Sequence, residues 1–290
     1  GPALKDWSLE PILPALAERA ADFIARQTKA GQPFLLYLPL TAPHTPIAPN
    51  QAWRGKSPIG HDYADFVMET DAIIGRVLQA LEESGTADNT LVLFTSDNGC
   101  ARYIGVEELE ARGHFPSGPL RDYKASVYEG GHRIPFVVRW PGVVRPGSVC
   151  ARLVHQADVM ATMAEILGTT LPADAGEDSV SFLPLLKGQD QPVRTHAVSC
   201  ACDGTPSLRQ GAWKLVLASD AKTSVQLYNL DEDLGETKNV AADQPALVSE
   251  MRRLMEEFIV AGRTTPGPRQ KNDVKVRRYP IPKPAEPKSR

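Results

Sequence analysis

Apolar side chains recur at intervals of three and four residues in four segments of this 290-residue chain. This spacing places them on one face of an α-helix, so the four segments are predicted to be amphipathic helices. A glycine follows each segment and is expected to end the helix, because glycine readily adopts the backbone conformation of a helix C-terminus. The predicted helices are residues 9–24 before Gly31, 63–81 before Gly85, 156–167 before Gly168, and 247–259 before Gly262.

Continuous apolar runs form a second pattern, which is typical of strands buried in a parallel sheet. They lie at residues 34–38, 91–95 and 136–140. The first two runs enclose the helix predicted at 63–81, and this order of strand, helix and strand predicts a parallel-sheet unit of an α/β domain. After about residue 195 the runs become shorter and are separated by Gly, Asp and Ser turns, which predicts a small antiparallel sheet. Its predicted strands are residues 197–200, 213–217 and 225–228.

These patterns predict an α/β region at residues 1–195 and an antiparallel-sheet subdomain with a C-terminal helix at 196–263. Residues 264–290 hold eight Lys or Arg, two acidic residues and six prolines, so this tail carries +6 while the remainder carries −9. Few apolar residues and many prolines favour an extended, solvated tail. The alternatives are that it contacts a polyanionic substrate or folds back along the domain.

Composition narrows the class of protein. Hydrophobic residues make up 42% and charged residues 23% of the chain, and the net charge is −3, which is ordinary for a globular enzyme. No apolar run approaches the ~18 residues of a membrane helix, and no signal peptide is visible. We therefore expect neither a membrane span nor a nucleic-acid partner. Cysteines at 100, 150, 200 and 202 have spacings that fit neither a disulfide framework nor a zinc site.

Polar residues follow the predicted strands at their carboxyl ends, where ligands bind in open α/β sheets. The strand at 91–95 leads into Asp97 and Asn98, whose oxygens suit Ca²⁺ or Mg²⁺, and then into Gly99, which permits a sharp turn. A hairpin closed by an Asp-Asn-Gly turn is the alternative. The run at 34–38 leads to His44, which lies between two prolines. Lys124 precedes the third strand within the segment 120–135.

In this order, the segments Thr41-Ala42-Pro43-His44-Thr45-Pro46, Ser96-Asp97-Asn98-Gly99 and Lys124 with Glu129-Gly130-Gly131 resemble the sulfatase family of the alkaline-phosphatase superfamily. A fourth segment, Leu227-Tyr228-Asn229-Leu230 followed by Asp233, Glu236 and Asn239, is similar to the C-terminal pattern of that family. The resemblance covers roughly residues 9–270 and rests on four separated motifs, which makes chance a poor explanation. It implies an alkaline-phosphatase-like sheet with flanking helices, of which residues 1–195 would be the C-terminal part.

The resemblance also implies roles for individual residues. Asp97 and Asn98 would be ligands of Ca²⁺, with Mg²⁺ possible, Lys124 would contact the sulfate, and His44 would lie at the sulfate and leaving oxygen. Either His44 or Lys124 would supply the proton to the leaving group. His114 and His132 flank the lysine segment and are candidates for substrate binding, with structural roles as the alternative. Arg133 could reach the sulfate or bridge Glu129.

The nucleophile of the family is missing from the sequence. Sulfatases carry a cysteine, oxidised to formylglycine, in a Cys-x-Pro-x-Arg signature, and none of the four cysteines lies in that context. The segment from Ser117 to Arg121 fits a looser Ser-x-Pro-x-Arg form, but it follows the metal pair instead of preceding His44. We therefore expect this chain to be the C-terminal portion of a longer sulfatase and to be inactive alone. Gly1-Pro2 could also remain from removal of a tag.

Three functions are consistent with these observations. The first is a metal-dependent sulfuric ester hydrolase that acts on a carbohydrate or aryl sulfate. The second is a phosphodiesterase or phosphonate hydrolase of the same superfamily, and the third is a degenerate protein that binds without catalysis. Family resemblance suggests a periplasmic, secreted or lysosomal location. The sequence leaves the sugar, the sulfate position, exo or endo action and the oligomeric state open.

Overall fold

The computed structural model describes residue 5 and residues 7–218 and 224–273. Its helices are α1 (Ile12–Lys29), α2 (Asp62–Glu83), α3 (Val106–Ala111), α4 (Glu129–His132), α5 (Asp158–Ile166), α6 (Leu183–Leu186) and α7 (Pro245–Ala261). Its strands are β1 (Val92–Thr95), β2 (Phe136–Arg139), β3 (His196–Cys200), β4 (Pro206–Gln210), β5 (Trp213–Val216) and β6 (Gln226–Asn229). The fold is therefore mixed α/β, as predicted. None of the helices in the described parts is long and apolar enough to cross a membrane.

The chain separates into two compact units. The first unit contains residues 1–94, 101–118 and 136–142, and the second contains 95–100, 119–135 and 143–290. The domain boundaries predicted from the sequence, at residues 195 and 263, remain predictions.

In the first unit, α1 packs against α2 through the apolar faces that the sequence pattern predicted. Leu13, Ala17, Phe66 and Ile73 form one buried cluster, and Ala21, Ile24, Ala80 and Leu81 belong to another. The bidentate ion pair of Arg76 with Glu18 links the exposed faces of the two helices. Gly85 follows α2 with φ of +69°, so it ends the helix as expected.

The prediction of a buried strand at residues 34–38 was wrong. No strand is assigned there, and Leu35 and Tyr37 are 80% and 84% exposed. Phe34 and Leu36 nevertheless pack against the cluster of Ala21 and Ile24, so the segment shows the alternation of a strand. A β-strand requires backbone hydrogen bonds to a neighbouring strand. Among the described residues of the first unit, no strand pairs with this segment.

The two strands predicted at 91–95 and 136–140 are present as β1 and β2, and they pair with each other. They are less buried than predicted, because Phe94 is 41% and Val137 57% exposed. Each has only the other as a neighbour among the described strands, so alternate side chains remain uncovered.

The second unit is built around a four-stranded antiparallel sheet in the order β3, β4, β5, β6. Three of its strands were predicted, whereas β4 was missed because Ser207, Arg209 and Gln210 interrupt its apolar pattern. Helix α7 packs on the sheet with the predicted stripe, since Met251 and Met255 are buried in one cluster with Leu208, Leu215 and Leu227. Gly262 ends α7 with φ of +66°.

The described start of the tail does not match the extended, solvated prediction. Thr264 N and Thr265 Oγ1 donate hydrogen bonds to Asp178 Oδ1 and Glu177 O at 2.8 and 2.6 Å, and Gln270 Nε2 donates to Ala173 O at 2.9 Å. Polar side chains thus anchor this segment, and the alternative that it folds back along the domain holds for residues 264–270. Residues 274–290 of the predicted tail lie outside the described residues.

Candidate functional site

The turn after β1 presents the two candidate metal ligands. Asp97 is exposed and Asn98 is half-buried, and Asn98 Nδ2 donates a hydrogen bond to Asp97 Oδ1. The hairpin alternative is excluded, because β1 pairs with β2 and not with a strand that follows the turn directly. The carboxylate and the amide oxygen on this turn suit a hard cation such as Ca²⁺.

Side chains from elsewhere in the second unit hold the start of this turn. Gln156 Nε2 donates a hydrogen bond to Ser96 O at 2.6 Å, and Thr95 Oγ1 donates to Pro135 O at 2.9 Å. Ser96 Oγ donates to Asn98 O at 3.0 Å. Sequence reasoning did not identify Gln156, because a single glutamine at the start of a predicted helix carries no functional signal. These bonds fix the backbone from which Asp97 and Asn98 project.

Backbone contacts join two segments of the second unit, which we name the Asp97 turn (residues 95–100) and the Lys124 loop (residues 119–135). Gly99 N donates to Gly131 O at 3.0 Å, and Lys124 N donates to Cys100 O at 2.7 Å. A Cβ atom on Gly99 would lie only 1.8 Å from Gly130 O, and one on Gly130 would lie 2.1 Å from Asp122 O. The absence of side chains at these glycines therefore permits the close approach of two backbones. The Asp97 turn and the Lys124 loop form one rigidly bonded piece.

Lys124 itself lies between two residues of unusual backbone conformation. Asp122 and Ala125 have φ of 66° and 78°, in the left-handed region that costs non-glycine residues free energy. Such conformations are retained where surrounding bonds determine them, and they occur often at functional sites. The side chain of Lys124 is half-buried, and its ammonium has no hydrogen-bond or ion-pair partner among the described residues. It is available to an anionic ligand.

His132 and Arg133 lie at the end of α4, beside Glu129. His132 Nε2 lies 2.9 Å from Val127 O and 3.2 Å from Lys214 Nζ. Burial, and then the charge of Lys214, lowers the pKa of His132, so the neutral form is favoured. Arg133 is exposed, and its guanidinium lies 3.5 Å from Glu129 Oε2, which is the bridging alternative considered from the sequence. The substrate-binding role of both residues stays a prediction.

The first unit carries the other two candidate histidines. His44 is exposed, and its Nδ1 lies 2.7 Å from Thr45 O, so Nδ1 carries a hydrogen and Nε2 is the free acceptor. Tyr103 Oη lies 3.4 Å from Nε2 and can donate to it. The sequence gave no signal for Tyr103, because the contact joins residues 59 positions apart. His114 is exposed and follows α3, where its N–H donates to Leu109 O.

Asp97, Asn98 and Lys124 are therefore brought together by bonds within the second unit, whereas His44 and His114 are described in the first. That all of them converge on one cleft stays a prediction. No group of three or more His, Cys, Asp or Glu suited to a metal occurs in the described parts of the chain. Asp97 and Asn98 offer oxygens where Ca²⁺ takes ~6–8, so a complete site needs further ligands.

Comparison with known proteins identifies two matching family models. The one described as Sulfatase matches residues 11–169, and the one described as N-sulphoglucosamine sulphohydrolase, C-terminal, matches residues 122–261. The chain is 35% identical over 266 residues to an N-acetylgalactosamine-6-O-sulfatase of Bacteroides thetaiotaomicron, a match that covers 86% of this chain and 51% of the relative. It is 41% identical over 179 residues to the steryl-sulfatase of Mus musculus, a match that covers 61% of this chain and 28% of the relative.

Solved structures give a consistent result. A structure from work on glycosaminoglycan metabolism by Bacteroides thetaiotaomicron matches with a TM-score of 0.80 and 32% identity, covering 87% of this chain and 55% of that one. The structure of Ps i-CgsB in complex with k-i-k-neocarrahexaose matches with a TM-score of 0.76 and 26% identity, covering 93% and 59%. The chain thus spans about half the length of the relatives that it matches.

Proposed function

We propose that this chain is part of an enzyme that hydrolyses sulfate esters, because it belongs to the sulfatase family. The observation that best supports the proposal is the bonded piece formed by the Asp97 turn and the Lys124 loop. It combines two oxygen donors for a cation with the ammonium of Lys124, which is unpaired among the residues that the structure describes, on one backbone framework. A sulfate ester requires both, since its cleavage concentrates negative charge on the sulfate oxygens and on the leaving oxygen.

Each residue has a proposed task. Asp97 and Asn98 hold Ca²⁺, with Mg²⁺ as the alternative, and the bound cation would act as a Lewis acid toward the sulfate. Lys124 binds a sulfate oxygen through its ammonium, which acts as a compact point charge. His44 exchanges a proton at Nε2, because Thr45 O retains the hydrogen on Nδ1. In its protonated form, His44 donates this proton to the leaving oxygen.

The nucleophile of the complete protein is proposed to be a formylglycine outside these 290 residues. None of Cys100, Cys150, Cys200 and Cys202 is in the formylglycine signature. The purified chain is therefore expected to hydrolyse no aryl sulfate in the presence of Ca²⁺. Hydrolysis that is abolished by Ser117→Ala would contradict this proposal and would identify Ser117 as the nucleophile.

A sulfated carbohydrate is the proposed substrate class. The relative from Bacteroides thetaiotaomicron is named for N-acetylgalactosamine 6-sulfate, and a structure of Ps i-CgsB contains a neocarrahexaose. The exposed positions of Asp97 and His44 are consistent with a substrate that approaches from solvent. Action on such sugars in turn suggests an exported enzyme, in the periplasm, the extracellular space or a lysosome.

The test is an assay of the complete protein on defined sulfated mono- and disaccharides. Lys124→Ala should lower turnover by about 10²-fold or more, because the charge that it stabilises develops mainly in the transition state. Lys238→Ala, at an exposed position, is the matched control and should retain turnover. Normal turnover of Lys124→Ala would remove Lys124 from the catalytic site, and turnover of phosphate esters alone would contradict sulfate hydrolysis.

A further inference from the structure

A buried ion cluster lies beneath the Lys124 loop. Lys214, on β5, is 1% exposed, and its Nζ lies 2.9 Å from Glu129 Oε1 and 2.8 Å from Glu236 Oε1. Glu129 and Glu236 are 3% and 0% exposed. Glu236 Oε2 also accepts a hydrogen bond of 2.6 Å from Glu129 N, the first backbone N–H of α4. The cluster therefore connects the antiparallel sheet to the start of α4.

Charge balance explains why these groups tolerate burial. An isolated buried charge is costly, whereas one that has ionic and hydrogen-bonded partners is retained. Burial opposes ionisation of Glu129, but the charge and hydrogen bond of Lys214, together with the charges of His132 and Arg209, outweigh this effect and lower the pKa of Glu129. For Glu236, burial dominates and raises the pKa, although Lys214 and the N–H of Glu129 oppose the change. Lys214 is thus the cation that the two carboxylates share, and it lies nearer to Glu129 than Arg133 and Arg209, whose guanidinium groups are 3.5 Å from Glu129 Oε2.

From this cluster, a short series of contacts leads to the proposed sulfate site. Glu129 is followed by Gly130 and Gly131. The carbonyl oxygen of Gly130 faces Gly99, and the carbonyl oxygen of Gly131 accepts a hydrogen bond from Gly99 N. Gly130 N donates to Arg121 O at 2.8 Å, which closes the Lys124 loop. The position of α4 therefore determines where Gly99 and the Lys124 backbone lie. Arg121 adds a second connection, because its guanidinium donates to Glu236 O at 2.6 Å.

We propose that Lys214 is a positioning residue of the sulfate site: it neutralises Glu129 and Glu236 and so holds α4, the Lys124 loop and the Asp97 turn in the geometry that binds sulfate. This inference rests on the proposed function for its catalytic meaning. The sheet itself does not depend on the ion cluster, because Leu208, Leu215, Leu227 and Met251 form its apolar core. A neutral residue at position 214 should accordingly destabilise the Lys124 loop while the antiparallel sheet remains stable.

Amide hydrogen exchange tests the positioning role without requiring catalysis. Exchange is measured on the full 290-residue chain for the parent, Lys214→Met and the exposed-site control Lys238→Met. In Lys214→Met, the amides of Gly99, Lys124 and Gly130 should exchange about 10²-fold faster, because Glu236 loses its cation and Glu129 keeps only the longer contacts with Arg133 and Arg209. The amides of Leu215 and Leu227 should retain the parent rates, as should all amides in the control.

Equal acceleration at the loop and the sheet would show that Lys214 serves general stability, and unchanged loop amides would show that it does not hold the loop. Either result overturns the proposal. If Lys214→Met does not fold, Glu236→Gln decides the matter, since it keeps the side-chain volume and should accelerate the same loop amides by a smaller factor. In the complete protein, Lys214→Met should lower turnover while Lys238→Met does not. Loop loosening without loss of turnover would count against the proposed function and leave the positioning contacts intact.

Discussion

The Lys124 loop and the segment at residues 41–47 both carry a residue proposed for sulfate cleavage, but they are held in different ways. The Lys124 loop is fixed by backbone hydrogen bonds to Gly99 and Cys100 and by the buried charges of Glu129, Lys214 and Glu236. His44 is exposed, and the hydrogen-bond partners of its ring among the described residues are its neighbour Thr45 and Tyr103. The loop proposed to bind the sulfate is thus preorganised by the fold, whereas the segment that carries the proposed proton donor depends on a few local contacts.

The largest expected effect comes from breaking the glycine contacts of the Lys124 loop. Gly130→Ala would place a Cβ 2.1 Å from Asp122 O, so the second unit should lose about 3 kcal/mol or more of stability. Gly75→Ala is the control, because no atom lies within 4 Å of its Cβ and helix α2 should gain about 0.5–1 kcal/mol. Urea unfolding measures both. An unchanged midpoint for Gly130→Ala would show that the two backbones do not approach this closely.

Hydrogen exchange should distinguish the two regions directly. The amides of Gly99 and Lys124 donate to backbone carbonyls and should exchange at least about 10²-fold more slowly than the amide of His44. Mass spectrometry or NMR of the parent chain gives these rates. Similar exchange rates in the two regions would remove the contrast that we draw between them.

A smaller effect concerns pH. The pKa of His132 is lowered in the folded state by burial and by Lys214, so the unfolded chain binds more protons and stability should fall as pH falls through and below 6.5. His132→Gln should make this decline shallower but not abolish it, because burial and Arg194 also lower the pKa of His155. The exposed-site variant His114→Gln should follow the parent. Parallel curves for His132→Gln and the parent would contradict the assigned burial of His132.

The smallest expected effect lies at Tyr103. Tyr103→Phe removes the hydroxyl that faces His44 Nε2 at 3.4 Å, and the loss of one long hydrogen bond should reduce turnover of the complete protein by less than about tenfold. Tyr37→Phe is the matched control, because Tyr37 is 84% exposed. A reduction as large as that of Lys124→Ala would mean that Tyr103 itself takes part in proton transfer.

Local patterns predicted the four longest of the described helices, because the apolar stripe and the terminal glycine are both encoded within each segment. The short helices α3, α4 and α6, of four to six residues, were not predicted, because such lengths are too short to show a stripe. Helix α1 begins later than predicted, at Ile12, since Pro11 occupies the position before its first turn. Helix α5 begins at Asp158 and not at residue 156 as predicted. The carboxylate of Asp158 accepts a hydrogen bond from the N–H of His155, which precedes the helix. The prediction of a strand at residues 34–38 was wrong, because strand pairing depends on a neighbouring strand that a local sequence pattern does not specify.

The candidate site was predictable only in part. Asp97, Asn98 and Lys124 were identified from motifs. Gly130 and Gly131 belong to the motif of Lys124, but the sequence does not explain why glycine is needed at these two positions. The structure supplies that reason in the close approach to Gly99. Lys214 was overlooked because it lies within an apolar strand, and its partner Glu129 is 85 residues away. Pairings between such distant residues follow from tertiary structure alone.

Calcium binding tests the central claim most directly, namely that the Asp97 turn contributes the cation site of a sulfatase. Calorimetric titration of the complete protein with Ca²⁺ should show Kd raised about tenfold or more by Asp97→Ala, because a charged oxygen ligand is lost. Asp231→Ala, at an exposed position in the second unit, should bind as the parent does. Equal affinity for Ca²⁺ in Asp97→Ala, Asp231→Ala and the parent would contradict the account.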